Sequence, residues 1–443
     1  MNSTLRFRTA LVDGQWQDNV QISVSPDGLI ERIDSDVVSN ESIENLIALP
    51  GMVNVHSHAF QRGFAGLSEY RTAANDSFWT WRKLMYDFVG RLTPDDVYAT
   101  ARQLYSEMLA AGYTWVGEFH YLHNYFGGAT YSNIGELSDA IHRAAMDTGI
   151  GLCHLPVLYQ RGGFGDEPIA NGQDRFVLSN EQFYELVENC RSKWVDAANT
   201  KIGIALHSLR AVSVEAAVAA IEHVKRIDSQ APIHIHVAEQ TAEIEACVAT
   251  HRRRSVEFLF DSLPVDESWC LIHATHLNDR ELEQIAASKA VVGLCPTTEA
   301  NLGDGIFRAE EFLKLGGRIC IGSDSHCSVD LREELRLLEY GQRLTTRRRA
   351  VLGTNDVSVG RNLYCHAAKE GARAIGINAG EISVGKRADF TLIDASHPAI
   401  DNVSGDRILD RLIFTNIGNP IAGVVVGGRV LGDRRLKSYQ KLM

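Results

Sequence analysis

The chain has 443 residues, 45% of them hydrophobic, which suits a soluble globular protein with a large core. Its formal net charge of -12 argues against nucleic acid or an anionic membrane as partner, since both select a basic surface. An acidic substrate stays open, because a local pair of arginines binds a carboxylate whatever the global charge.

The N-terminal MNSTLRFRTALVDGQW carries no apolar core of a signal peptide. No run approaches the ~18–20 consecutive apolar residues of a membrane span. The eight cysteines are scattered without a CxxC pair, and Cys153, Cys270, Cys295 and Cys320 lie in apolar runs. Reduced, buried thiols in a cytoplasmic protein are expected.

Residues 5–50 read as short strands, with Asp13-Gly14 and Pro26-Asp27-Gly28 as turns. Apolar runs follow near 48–56, 113–120, 150–158, 201–207, 232–237, 268–273, 290–296 and 318–324, separated by helical patterns. One such pattern spans 94–111, opened by Thr93 as cap and Pro94 in the first turn. Continuous apolar runs suit strands covered on both faces. Eight of them alternating with helices predict an α/β fold, a (β/α)₈ TIM barrel whose site lies at the C-terminal strand ends. A β-rich pattern returns in GEISVGKRADFTLID and AGVVVGGRVLG. The expected division is a small β-sheet or sandwich domain from 1–49 and 378–443 around a catalytic barrel over 50–377.

His56, His58, His120, His207, His236, His273 and Asp324 fall at or just past the ends of these runs. His56 and His58, two apart, point the same way and can share a metal. His234 and His236 share a face, so parity does not choose between them; His236 is nearer the strand end. Glu239 follows at proton-shuttle distance, although alone it reads as a helix N-terminal carboxylate. His273 can orient an attacking water. Asp324 can ligate a metal and accept a proton, or cap the next helix.

In this order, His56-x-His58, His236, His273 and Asp324 resemble the amidohydrolase superfamily. The resemblance implies that His56, His58, His236 and Asp324 hold a metal ion, with Glu239, His273 and Asp324 catalytic. His207 stands where binuclear members place a bridging lysine or glutamate, which implies one ion per subunit. Three imidazoles and a carboxylate suit Zn²⁺, and iron or another divalent ion meets the same ligand types.

The segments PGMVNVHSHAFQRGFAGL, NDSFWTWRKLMY, GYTWVGEFHYLH, HSLRAV, HIHVAEQ and GSDSH are similar to the formiminoglutamate deiminase branch of that superfamily. This implies hydrolysis of a small dicarboxylate, N-formimino-L-glutamate, to N-formyl-L-glutamate and ammonia in histidine degradation. It implies substrate contacts from Gln61, Arg82, Tyr121, His207 and Arg210, and a homodimer. Arg82 and Arg210 each offer the planar fork that binds a carboxylate bidentately, and Trp79 and Trp81 are expected to pack around the Arg82 segment. Two other readings compete: a deaminase of an aromatic base, which needs a stacking pocket rather than two arginines, and a non-catalytic metal-binding barrel, which has no use for Glu239 and His273.

Overall fold

The computed structural model describes residues 3–37, 45–70, 78–170, 172–194 and 197–432. The first three residues of NDSFWTWRKLMY, 75–77, and parts of both terminal segments lie outside the described residues.

β1 (Ser3–Val12) and β2 (Gln15–Val24) form an antiparallel hairpin. Its turn residues Asp13 and Gly14 have φ of 47° and 70°, the left-handed pair that matches the twist of two strands joined by a two-residue loop. β3 (Ile30–Asp34) pairs with β2, and β4 (Leu46–Pro50) lies parallel to β1.

The barrel follows: β5 (Met52–Ser57), β6 (Tyr113–His120), β7 (Gly151–Leu158), β8 (Thr200–Ile202) leading into β9 (Ile204–Ser208), β10 (Ile233–Val237), β11 (Trp269–His273), β12 (Val291–Leu294) and β13 (Arg318–Ile321). β5, β6, β7 and β9 to β13 pair in parallel in chain order, with β8 on β7. The seam between last and first strand is closed by a bridge between Ser57 and Asp324. There Asp324 N donates to His56 O at 3.0 Å and His58 N to Asp324 O at 3.3 Å. Gly322 permits this approach, because a Cβ would sit 2.8–3.0 Å from His56 Cβ, N and O.

The run expected as one strand over 48–56 is two, divided at Gly51. A Cβ on Gly51 would sit 2.6 Å from Thr114 Oγ1 and 2.9 Å from the Asp389 carbonyl, so only glycine lets the chain pass from one sheet to the other. The helix Pro94–Ala110 begins as its sequence predicts, with Thr93 and Asp96 forming a reciprocal cap.

β14 (Phe390–Asp394), β15 (Ile421–Val426) and β16 (Arg429–Gly432) complete the small sheet, in the order β16-β15-β14-β4-β1-β2-β3. Alternation sorts its faces. Leu5, Phe7, Ala48, Phe390, Leu392 and Val425 enclose a core of their own, whereas Leu11, Ile47, Leu49, Ile393, Val424 and Val426 join the barrel core. Trp115 Nε1 donating to Asp389 Oδ2 at 2.9 Å ties the sheet to β6. Among the described residues no helix is long and apolar enough to cross a membrane.

Candidate metal centre and substrate pocket

The predicted ligands converge. His56 Nε2 lies 3.0 Å from His236 Nε2 and 3.5 Å from Asp324 Oδ1, and His58 Nε2 lies 3.3 Å from the same oxygen. A register shift in β5 makes this possible. Asn54 pairs with Val116 and Ser57 with Glu118, so three steps on β5 oppose two on β6. The extra residue turns Asn54 outward against Met108 while His56 turns into the barrel.

Two ligands are oriented by carbonyls behind them. His58 Nδ1 is 2.9 Å from Phe119 O and His236 Nδ1 is 2.9 Å from His207 O. Each Nδ1 therefore carries the proton, and each Nε2 presents a lone pair to the centre. Burial lowers the pKa of His56, His58 and His236, and for His56 and His236 the neighbouring imidazoles add to the effect, so all three are neutral donors. His236 Nε2 and His56 Nε2 facing each other beside a carboxylate form a donor set that fits a divalent ion. His234 is resolved by its partner: Nε2 lies 2.8 Å from Ala374 O, at the end of helix Val359–Ala374, so this ring serves packing.

His273 sits between three carboxylates. Nε2 is 3.6 Å from Asp324 Oδ2 and 3.8 Å from Glu239 Oε1, and Nδ1 is 3.2 Å from Glu299 Oε1. Burial opposes its charge, but Glu239, Glu299 and Asp324 prevail and raise its pKa to about 10. Burial pushes Glu239 up to about 7 against the pull of His273, with Asp324 adding to the rise. The Ala238 and Glu239 amides donate to Glu243 at 3.1 and 3.3 Å, which fixes the Glu239 loop. Ala238, His273, Ala274, Asp324 and His326 all have φ between 47° and 69°, strained for residues with a side chain. Such strain concentrates where a site dictates the backbone.

Gln61, Arg82, Tyr121, His207 and Arg210 line one cavity with His58, His236, Glu239, His273 and Asp324. Gln61 Nε2 donates to Tyr121 OH at 2.8 Å. Burial lowers the Arg82 pKa; Tyr86 opposes this and Arg210 reinforces it, the signature of two guanidiniums facing one space. Burial and Arg210 keep His207 neutral. Arg82 Nη1, Arg210 Nη1 and Gln61 Oε1 are buried with no hydrogen-bond partner among the described residues. Trp81 packs against Phe64 and Phe78, and Trp79 lies under the Arg82 guanidinium.

His120 departs from expectation. It ends β6, but it is fully buried beside His123 and His154, on the face opposite Phe119, which contacts His56. Strand parity turns it away from the mouth. Asp324 is not a cap, since Asp330 caps the next helix. Glu299 and Glu243 were not among the candidates. Both come from helices that follow strands, where a carboxylate in the first turn reads as ordinary helix chemistry.

Neutral imidazoles and carboxylates converging at the mouth of a (β/α)₈ barrel, beside an arginine-lined cavity, define a candidate metal-dependent hydrolase site. The chain belongs to the amidohydrolase family, whose model matches residues 47–431. It is 46% identical over 441 residues to a formimidoylglutamate deiminase of Pseudomonas aeruginosa, covering 98% of this chain and 96% of that one. A solved amidohydrolase of Brucella melitensis superposes with a TM-score of 0.90 at 41% identity, covering 99% and 97% of the two chains. A 5-methylthioadenosine/S-adenosylhomocysteine deaminase of Natronomonas pharaonis is 25% identical, covering 88% and 83%.

Proposed function

We propose that this protein hydrolyses N-formimino-L-glutamate to N-formyl-L-glutamate and ammonia, using one zinc ion held by His56, His58, His236 and Asp324. The observation that carries the substrate is the pair Arg82 and Arg210, each with a buried, unpartnered Nη1, in the cavity that also holds the ligand cluster. Two guanidinium forks match the two carboxylates of the substrate. The full-length likeness to the Pseudomonas aeruginosa deiminase supports the same reading.

Zinc, when bound, supplies Lewis acidity that makes water a competent nucleophile near neutral pH. Arg82 and Arg210 bind the carboxylates and aim the formimino carbon at the strand ends. Gln61, Tyr121 and His207 surround the substrate chain. Asp324, held near His273, accepts a proton from the attacking water as its oxygen bonds to the formimino carbon. Glu239, whose pKa burial raises, donates a proton to the nitrogen that departs. The C–N bond then breaks, releasing ammonia, and the hydroxyl left on that carbon returns its proton to the Glu239 carboxylate as the formyl C=O forms.

Steady-state ammonia release from formiminoglutamate, formimino-aspartate, guanine and 5-methylthioadenosine tests the reading. Turnover highest on formiminoglutamate is expected. A preference for either purine would favour an aromatic-base deaminase, and no turnover on any would favour a metal-binding barrel. The reading extends to a cytoplasmic homodimer without nucleic-acid or membrane partners, for which light scattering on the eluting species gives the subunit count.

A further inference from the structure

A row of buried polar side chains runs behind the first-strand histidines. Glu118 on β6 is fully buried, and among the described residues no cation pairs with it. Its Oε1 accepts from Ala59 N at 2.7 Å, and its Oε2 accepts from Ser57 Oγ at 2.6 Å and Tyr105 OH at 3.1 Å. Ser57 Oγ also lies 3.1 Å from His326 Nε2. His326 Nδ1 lies 2.9 Å from Ser323 Oγ, which accepts from Asn54 Nδ2 at 2.6 Å. Ser323 N donates back to Asn54 Oδ1 at 3.0 Å.

Proton counting gives the row one direction. Each hydroxyl has a single proton. Ser57 gives its proton to Glu118, so it must accept from His326 Nε2–H. A neutral His326 then offers an Nδ1 lone pair, which the Ser323 hydroxyl fills, leaving the Ser323 oxygen to accept from the Asn54 amide. Glu118 Oε2 takes two protons, from Ser57 and Tyr105, and every other acceptor in the row takes one.

The position of this row matters more than its length. Ser57 separates His56 from His58, and Ala59 follows His58. Ser323 precedes Asp324, and His326 lies two residues beyond it. The backbone contacts closing this seam are the Ser57–Asp324 bridge and its hydrogen bonds. The row thus joins the backbone on both sides of His58 to the backbone around Asp324, from the outer face of the barrel.

We propose that Glu118, acting through Ser57, His326, Ser323 and Asn54, is a positioning residue that sets the separation between the His56-x-His58 pair and Asp324, and so the affinity of the metal centre. This rests on the metal reading given above. Glu118→Gln is nearly isosteric, but its amide NH₂ must face either the Ala59 N–H or the Ser57 and Tyr105 hydroxyls, donor against donor. Ser57→Ala cuts the row at its middle and is the milder change should the first variant fold poorly.

The test is chelator competition for zinc on the full-length protein, alongside the Tm of each metal-free variant. Both substitutions are expected to weaken zinc binding about 10–100-fold, the usual effect of removing groups that orient ligands. With ¹⁵N-histidine labelling, His326 is expected to carry its proton on Nε2. A folded variant that holds zinc as tightly as the parent, with only its metal-free Tm lowered, would reduce the row to ordinary core packing and overturn the proposal. So would a His326 protonated on Nδ1. If the parent itself binds no zinc, the metal reading fails and this inference with it.

Discussion

Arg82 and Arg210 share one indole: their guanidinium carbons lie 4.6 and 5.9 Å from the centre of the Trp79 ring. The aromatic face attracts both cations and tempers their repulsion without occupying the hydrogen-bonding edges a carboxylate needs. Arg82→Met is therefore expected to raise KM about 10–100-fold, from the roughly 1.5–3 kcal/mol of a charged hydrogen bond, with a smaller change in kcat. An unchanged KM in steady-state assays would remove Arg82 from the substrate clamp.

Glu239 Oε1 lies 3.8 Å from His273 Nε2, in the cavity that His58, His236 and Asp324 also line. Glu239→Gln is expected to retain metal at the stoichiometry of the parent while kcat falls by about 10²–10⁴-fold, the range for general acid–base help. Metal content and turnover measured on one preparation check this. Wild-type kcat in the variant would take the proton shuttle away from Glu239.

Removing the metal should leave an inactive protein whose Tm is lower, because an ion that binds only the folded state stabilises it by mass action, by about 2.7 kcal/mol at a hundredfold excess over Kd. Dialysis against a chelator followed by titration with zinc, iron and manganese reads both activity and Tm. Full activity after complete metal removal would contradict the metal-centred reading.

Acid stability should depend on histidines remote from the site. Burial lowers His123 to about 4, opposed by its bond to Val157 O, and burial lowers His154 to about 3. Unfolded histidine binds a proton near pH 6.5, whereas these rings do not until lower pH. The unfolded state therefore gains protons first. Stability is full above about pH 6.5 and is lost as pH falls toward 4, by about 1.4 kcal/mol per pH unit for each ring. His123→Gln is expected to flatten this limb of the Tm–pH curve. Superimposable curves for parent and variant would show that His123 titrates normally.

The barrel and most of its site were legible because each strand, covered on both faces, reads as an apolar run, and the polar residue ending it stands out. His56, His236, His273 and Asp324 were visible for that reason. His120 met the same criterion yet points the other way, since a run that is apolar throughout hides which parity faces inward. The register shift between Asn54 and Ser57 is a property of pairing and has no local sequence mark. Glu118 lay inside YTWVGEFH as one carboxylate in an apolar run, and its partners come from 13 to 61 residues away. Glu299 is supplied by the helix after the seventh barrel strand, where spacing along the chain gives no sign of its contact with His273.

The passage through Gly51 has a consequence for synthesis. β4, at the middle of the small sheet, continues directly into β5, and its partner β14 is translated some 340 residues later. Until then β4 shows an open edge of unpaired amides next to the first barrel strand, the kind of edge that invites pairing with other chains. Ribosomal pausing or truncation anywhere before Phe390 would leave that edge exposed. Nascent chains of this protein should accordingly be chaperone clients over most of their elongation and become safe from aggregation only when the last strands emerge.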